Sequence, residues 1–173
     1  MAYFFLIIIS LVLLSLSFWG VFNLISALAG VVYVGTKMDT MKQALKLANL
    51  KKGEKFYELG SGLGSGLLMA SREFSAIATG IEISPLYYLI SRLRAIGGKN
   101  IKIIFSNYKK INLSDSDVIY CYLLPKLMTE LLPKFSRELK PGVRVISYAF
   151  PIKGKTLTKI KATGSTKIYL YRF

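Results

Sequence analysis

The chain contains no histidine and a single cysteine among its 173 residues. Without histidine it can form neither a Ser-His-Asp triad nor a histidine metal site, and one thiol can form neither an internal disulfide nor a cysteine zinc site. Acidic residues are scarce: 9 Asp and Glu stand against 24 Lys and Arg, for a net charge of +15. The hydrophobic content of 53% excludes a disordered chain. The length allows one ordinary domain and little more.

The first 36 residues carry no charged side chain. Residues 2–21 supply the roughly 20 apolar residues of a membrane-spanning helix, with Phe18 and Trp19 where an interfacial aromatic belt is expected. The pattern predicts an N-terminal transmembrane helix within a membrane anchor of residues 1–35. The alternative is a signal peptide cleaved near residues 27–29, but no cation precedes the apolar run. Because lysines follow it, we expect a single-pass membrane protein with a cytoplasmic C-terminal domain.

Residues 36–173 alternate strand-like and helix-like segments and form the second predicted domain. The predicted strands are residues 55–59, 78–83, 101–105, 117–123 and 143–150, followed by a hairpin of residues 156–162 and 166–173. This alternation indicates an α/β, Rossmann-like fold with a doubly wound, mostly parallel sheet of seven strands. Thr36 and Asp39 resemble a capping box at the start of the first helix of this domain.

A glycine-rich loop follows the first of these strands and opens a helix, with glycines at Gly60, Gly62 and Gly64. Its spacing differs from the G-x-G-x-x-G dinucleotide pattern. Glu58, two residues before the loop, would repel a pyrophosphate but attract the ammonium and sulfonium of S-adenosylmethionine (SAM). Glu82 ends the second strand, near the spacing at which an acid hydrogen-bonds ribose hydroxyls. We therefore expect SAM as the cofactor. The alternative for the glycine loop is a flexible turn without a ligand, and the alternative for Glu82 is a solvated residue at a strand end.

With these residues the chain resembles a class I SAM-dependent methyltransferase. More narrowly, it is similar to small non-SET protein-lysine methyltransferases of archaea and bacteria, whose eukaryotic relatives include the mitochondrial enzyme that methylates the ATP synthase c-subunit. The resemblance covers residues 32–154 and is carried by residues 57–62, 80–85, 115–125 and 138–151. Two segments depart from the family pattern. Residues 63–65 read Leu-Gly-Ser in place of Asp-Gly-Arg, and residues 32–36 read Val-Tyr-Val-Gly-Thr in place of Pro-Tyr-Val-Pro-Thr/Ser.

The resemblance implies a cofactor site and no metal. The cofactor-binding residues would be Tyr33, Thr36, Glu58, Gly60, Ser61, Gly62, Gly64, Glu82, Ile83 and Asn107. Tyr33 and Thr36 would line the methionine side, and Asn107 would lie near the adenine unless it serves only as a turn residue. The acceptor channel and catalytic set would comprise Tyr122, Pro125 and Phe150, beside Tyr120 and Ser147, with core packing as the alternative for the aromatic residues.

The resulting prediction is a membrane-anchored SAM-dependent methyltransferase that modifies a lysine side chain of a protein. Two alternatives stay open. One is methylation of RNA or of a small or lipid amine, because the basic charge suits RNA. The other is a degenerate SAM-binding module without activity. No RNA-binding module is appended, so we expect a protein partner, a membrane contacted through the N-terminal helix, and no nucleic acid.

Overall fold

The computed structural model describes residues 1–28 and 35–173. Its contacts divide the chain into two units, Met1–Val34 and Gly35–Phe173. This division concerns contacts alone and does not test the predicted roles of the two domains. The first unit contains helix α1 (Ala2–Leu28), which has no acidic residue in its first turn and no basic residue in its last.

No helix in the described part of the chain is both long enough and apolar enough to cross a membrane. The predicted transmembrane helix, and the single-pass membrane localisation inferred from it, are therefore wrong.

The second unit alternates strands and helices along the chain. Its helices are α2 (Met38–Leu47), α3 (Ser65–Phe74), α4 (Pro85–Arg94) and α5 (Pro125–Glu138), with a short 3-10 helix at Tyr108–Lys110. Its strands are β1 (Lys55–Leu59), β2 (Ile77–Glu82), β3 (Ile101–Phe105), β4 (Val118–Cys121), β5 (Arg144–Tyr148), β6 (Lys159–Thr163) and β7 (Thr166–Arg172). The predicted bounds of β1 and β3 are confirmed. The strands β4 and β5 are shorter than the predicted residues 117–123 and 143–150.

The seven strands form one mixed sheet in the order β3-β2-β1-β4-β5-β7-β6. The strands β1 to β5 are parallel to one another, while β7 is antiparallel to both β5 and β6. This arrangement confirms the predicted Rossmann-like sheet and its closing hairpin. Because β1 to β5 are parallel, their carboxyl ends meet at one edge, which is where ligands bind in such sheets.

Each face of the sheet carries its own apolar core. Phe56 of β1 points to the face covered by α2 and α3, where it packs with Leu45 and Leu67. The next residue, Tyr57, points to the other face, which α5 covers with Leu131 and other apolar side chains. Alternate residues of a strand face opposite sides, so the same alternation sends the following residue, Glu58, back to the α3 face.

The capping box predicted from Thr36 and Asp39 is wrong. The N-cap of α2 is Lys37, and no side chain caps this helix. The Thr36 hydroxyl is instead hydrogen-bonded to the hydroxyl of Tyr120, at 2.8 Å. The segment before α2 is thereby tied to the central strand β4.

We expect Leu131→Ala to lower the free energy of unfolding by about 2–5 kcal/mol, because it leaves a cavity in a closed core. Leu131 is fully buried between α5 and the sheet. The matched control is Leu93→Ala at an exposed position of α4, which should change stability by about 0.5 kcal/mol at most. Urea unfolding of both variants measures the difference, and equal losses would contradict this description of the core.

Candidate active site

The loop between β1 and α3 is shaped by its glycines. Gly60, Gly62 and Gly64 have φ angles of 75°, 51° and 73°, a left-handed region that residues with a Cβ rarely adopt. The amides of Gly60 and Ser61 both donate to the carbonyl of Ile81, at 2.9 and 3.1 Å. The loop is therefore folded back against the end of β2. The helix α3 begins directly after the loop, at Ser65.

Glu58 places a carboxyl group inside the protein at the end of β1. The side chain is buried, and the backbone amide of Leu67 at the start of α3 donates to it. Its Oε2 has no hydrogen-bond partner among the described residues. Burial, reinforced by the carboxylate of Glu82, raises the pKa of Glu58 to about 8. In this environment a positively charged ligand group would be stabilised strongly.

Gly66 explains how the carboxyl group of Glu58 fits there. A Cβ added to Gly66 would lie 2.6 Å from Oε2 and 2.7 Å from Oε1 of Glu58. Any larger residue would displace the carboxyl group, so the helix can start beside it only with glycine at this position. Gly66 thus belongs to the site, although it lies outside the predicted set.

Glu82 joins the glycine loop to the next helix. Its Oε2 accepts a hydrogen bond from the amide of Gly62, and its Oε1 accepts one from the amide of Ser84, both at 2.7 Å. Ser84 in turn caps α4 by accepting from the amide of Tyr87 at 3.4 Å. A carboxylate has about four acceptor positions, so Glu82 retains capacity for the hydroxyl groups of a ligand.

Arg94 braces the glycine loop from the last turn of α4. Its Nη1 donates to the carbonyl of Leu63 at 2.8 Å and to Oγ of Ser65 at 3.2 Å. Leu63 and Ser65 are the two loop positions that depart from the family pattern. Nothing in the local sequence signals this contact, because Arg94 lies about thirty residues further along the chain.

Aromatic side chains cluster at the carboxyl ends of β4 and β5. The rings of Tyr122 and Tyr148 meet edge to face, with centroids 4.7 Å apart. Tyr120 is buried beside them, and burial raises the pKa of its phenol well above the usual value, with smaller contributions from Glu58 and Tyr148. The phenol of Tyr120 therefore stays neutral at physiological pH. Tyr148 was not among the predicted site residues, because its partner comes from another strand.

The chain after β5 turns sharply beside this cluster. Ala149 has φ of 70°, which is costly for a residue with a Cβ and tends to occur at functional sites. The turn lets Oγ of the buried Ser147 donate to the carbonyl of Phe150. The predicted channel residue Phe150 is thus held by its backbone in the turn directly after β5.

The free hydrogen-bonding groups of this site fit SAM. The unpartnered Oε2 of Glu58 can accept a hydrogen bond from an ammonium group, and the nearby Oγ of Ser61 is likewise buried without a partner among the described residues. Glu82 has free acceptor positions for hydroxyl groups. An ammonium group and a ribose diol are both present in SAM.

Comparison with known proteins decides the family. The model of the ANTKMT methyltransferase domain matches residues 58–159, which is more than half of the chain. The chain belongs to the ANTKMT methyltransferase domain family. It is a SAM-dependent methyltransferase, and SAM is its cofactor.

Two proteins of similar sequence and one of similar structure show what this methyltransferase resembles. It is 29% identical to a protein-lysine N-methyltransferase of Saccharolobus islandicus, over 82% of this chain and 92% of that protein. It is 28% identical to the adenine nucleotide translocase lysine N-methyltransferase of Mus musculus, over 82% of this chain but only 62% of that protein. An RNA methyltransferase from Salinibacter ruber, solved with S-adenosyl-L-homocysteine, has a TM-score of 0.78 and 25% identity, covering 80% of this chain and 93% of its own.

The structure brings most of the predicted cofactor residues of the methyltransferase to one edge of the sheet. This group comprises Thr36, Glu58, Gly60, Ser61, Gly62, Gly64, Glu82 and Ile83. Ile83 is exposed directly after Glu82. Oδ1 of Asn107 accepts from the amide of Lys109 at 2.9 Å and caps the 3-10 helix, so its turn role is present and its adenine role stays a prediction. Tyr33 lies outside the described residues.

The predicted catalytic residues lie at the ends of β4 and β5. Tyr122 is half-buried against Tyr148, and Phe150 is half-buried in the turn after β5. Pro125 is exposed at the first position of α5, where its fixed φ suits the start of a helix. The channel wall and the roles of these residues in catalysis stay predictions.

We expect the stability of the SAM-free methyltransferase to fall as pH rises from about 4.5 to about 8. The pKa of Glu58 rises from 4.5 in the unfolded chain to about 8 in the fold, so across this window the folded protein binds more protons than the unfolded protein. The free energy of unfolding should therefore drop by up to about 1.4 kcal/mol per pH unit. Urea unfolding at several pH values measures this slope.

Glu58→Gln removes the titrating group and keeps its shape, so this variant should lose most of the slope. Glu130→Gln is the control, because Glu130 lies on the surface in an ion pair with Lys109. A slope in Glu58→Gln equal to that of the unmodified protein would show that Glu58 is not held protonated in the fold.

Proposed function

We propose that this methyltransferase transfers the methyl group of SAM to a lysine side chain of a protein. The observation that carries the proposal is the paired rings of Tyr122 and Tyr148 at the carboxyl ends of β4 and β5, beside the SAM-binding edge. Aromatic faces attract cations, and a methylated lysine is a cation with an apolar stem. The relatives named as lysine N-methyltransferases support the same substrate class.

For the cofactor, we propose that Glu58 binds the ammonium group of SAM and that Glu82 binds its ribose hydroxyls. Gly60, Gly62 and Gly64 would let the backbone approach the ligand, while Thr36 and Ser61 would face its methionine part. Ile83 and Asn107 would line the adenine. The hydrogen bonds of Glu82 to the amides of Gly62 and Ser84 support this arrangement, because they fix the carboxylate before the ligand arrives.

Bound SAM would supply a methyl carbon on a sulfonium. The neutral lysine amine would form a C–N bond to this carbon in line as the C–S bond breaks, with S-adenosyl-L-homocysteine as the leaving group. The protein mainly has to position the amine and keep it neutral. A free lysine has a pKa of about 10.4, and apolar surroundings lower it by penalising the charged form. Tyr122, Tyr148 and Phe150 provide such surroundings. The chain has no histidine and the phenol of Tyr120 is hydrogen-bonded to Thr36, so we propose that the lysine proton is lost to solvent.

RNA is the second candidate acceptor. It is favoured by the similarity to the RNA methyltransferase from Salinibacter ruber and by the net charge of +15. The two candidates differ in the fraction that receives the methyl group, so one experiment separates them.

The full-length protein is incubated with methyl-labelled SAM and an extract of its source, and the label is followed into protein, RNA and lipid. We expect the label in protein, recovered as methyl-lysine after acid hydrolysis. Glu82→Ala should lose both SAM binding and labelling, because the loop and α4 lose their common acceptor. Glu130→Ala, at a surface carboxylate, should retain both.

Label confined to RNA or lipid would contradict the lysine proposal while keeping the cofactor site. Unchanged SAM affinity in Glu82→Ala would contradict the proposed cofactor contacts. Circular dichroism of both variants establishes that they are folded.

A further inference from the structure

Helix α4 presents an apolar face to solvent. Leu86, Leu89 and Leu93 follow one another at helical spacing, and Ile96 continues the row in the turn after the helix. Leu89 is 58% exposed and Leu93 is 67% exposed. The outward face of a surface helix is ordinarily polar, and contiguous exposed apolar patches mark interaction sites. We refer to these four side chains as the α4 stripe.

The chain segment that carries the α4 stripe has charged side chains of one sign only. Residues 85–100 contain no Asp or Glu, but they contain Arg92, Arg94 and Lys99. Arg94 is occupied by the glycine loop. Arg92 and Lys99 form no ion pair with a carboxylate within the described ranges 1–28 and 35–173. The stripe is thus an apolar surface whose own segment adds two such cations, Arg92 and Lys99, which we call its basic border.

Contacts within α4 and with β3 fix the position of Arg92 beside the stripe. The ring of Tyr88 packs on Phe105 of β3, with centroids 5.4 Å apart. Arg92 lies over the Tyr88 ring at 5.7 Å, and its Nη1 donates to the Tyr88 hydroxyl at 3.0 Å. Arg92 is therefore oriented by its own helix in the absence of a partner, which lowers the entropic cost of binding one.

We propose that the α4 stripe and Arg92 form a docking surface for an acidic amphipathic segment of the protein substrate. This inference rests on the proposed function. The apolar side of such a segment would cover the four aliphatic side chains, while its carboxylates would meet the basic border. Because α4 begins just after Glu82 and Ser84, a substrate docked here would be held at the same edge of the sheet as the cofactor.

The other occupants fit less well. A second copy of this chain would bring two basic borders together, and like charges across an interface oppose association. RNA would match the cations but would leave the aliphatic row without apolar contacts. An acidic amphipathic protein segment offers apolar side chains for the aliphatic row and carboxylates for the basic border.

The test is the double variant Leu89→Glu/Leu93→Glu, assayed on the labelled acceptor protein purified from the source extract. Two carboxylates in the stripe would repel the acidic segment and remove apolar contact. We expect the apparent KM for the acceptor to rise at least tenfold, with kcat and the Kd for SAM unchanged. The KM of the unmodified protein should rise with salt, since screening weakens the charge contacts.

The matched control is Ile160→Glu. Ile160 is 49% exposed between Lys159 and Lys161 on β6, at the opposite edge of the sheet, so it offers the same residue change in an equally basic setting. Its KM should stay within twofold of the unmodified protein. Leu93→Ser, a milder change, replaces the double variant if that variant proves unfolded by circular dichroism.

An unchanged KM in the double variant would overturn the docking surface while methyl-lysine formation by the unmodified protein still supports the proposed function. The same holds if the double variant loses only self-association in sedimentation, or only binding to RNA or to vesicles of phosphatidylserine and phosphatidylcholine. Absence of methyl-lysine with the unmodified protein would overturn the proposed function first, and the docking surface with it.

Discussion

A carboxyl group enclosed by protein must be neutral, meet a cation or be saturated by hydrogen bonds, and the active-site edge of this methyltransferase holds one such group that lacks a full set of partners. Glu58 lies buried at the end of β1, held by the amide of Leu67 and fitted against Gly66. One of its oxygens has no partner in the described part of the chain. The glycine at the start of α3 leaves the space that this side chain occupies, and the nearby Glu82 makes its charged form still less favourable. We infer that the ammonium group of SAM completes it.

Glu82 gives the site its second fixed point. By accepting the amides of Gly62 and Ser84, it joins the loop after β1 to the start of α4, and Arg94 closes the same connection from the other end of α4. The paired tyrosines lie at the ends of other strands, β4 and β5. In the proposed function the acceptor would therefore meet different strands from those that hold Glu58 and Glu82.

Local patterns predicted most of the fold. Short apolar runs between glycines and prolines marked the strands, and the loop after β1 with Glu58 and Glu82 marked the cofactor edge. The failures have physical causes. A long apolar run predicts a membrane span, but no helix in the described part of the chain is both long enough and apolar enough to be one. Thr36 has the spacing of a helix cap, yet it bonds Tyr120, a residue distant in sequence. Arg94 and Tyr148 act across the fold, so no local pattern could identify them.

The central claim is that Glu58 is held protonated until SAM brings a cation to it. The most direct test is calorimetric titration of the full-length protein with SAM at pH 7, in two buffers of different ionisation enthalpy. With a pKa of about 8 in the free protein, Glu58 should release about one proton when the ammonium group binds beside it. Binding with the same observed enthalpy in both buffers would mean that no proton is released, and would contradict the claim.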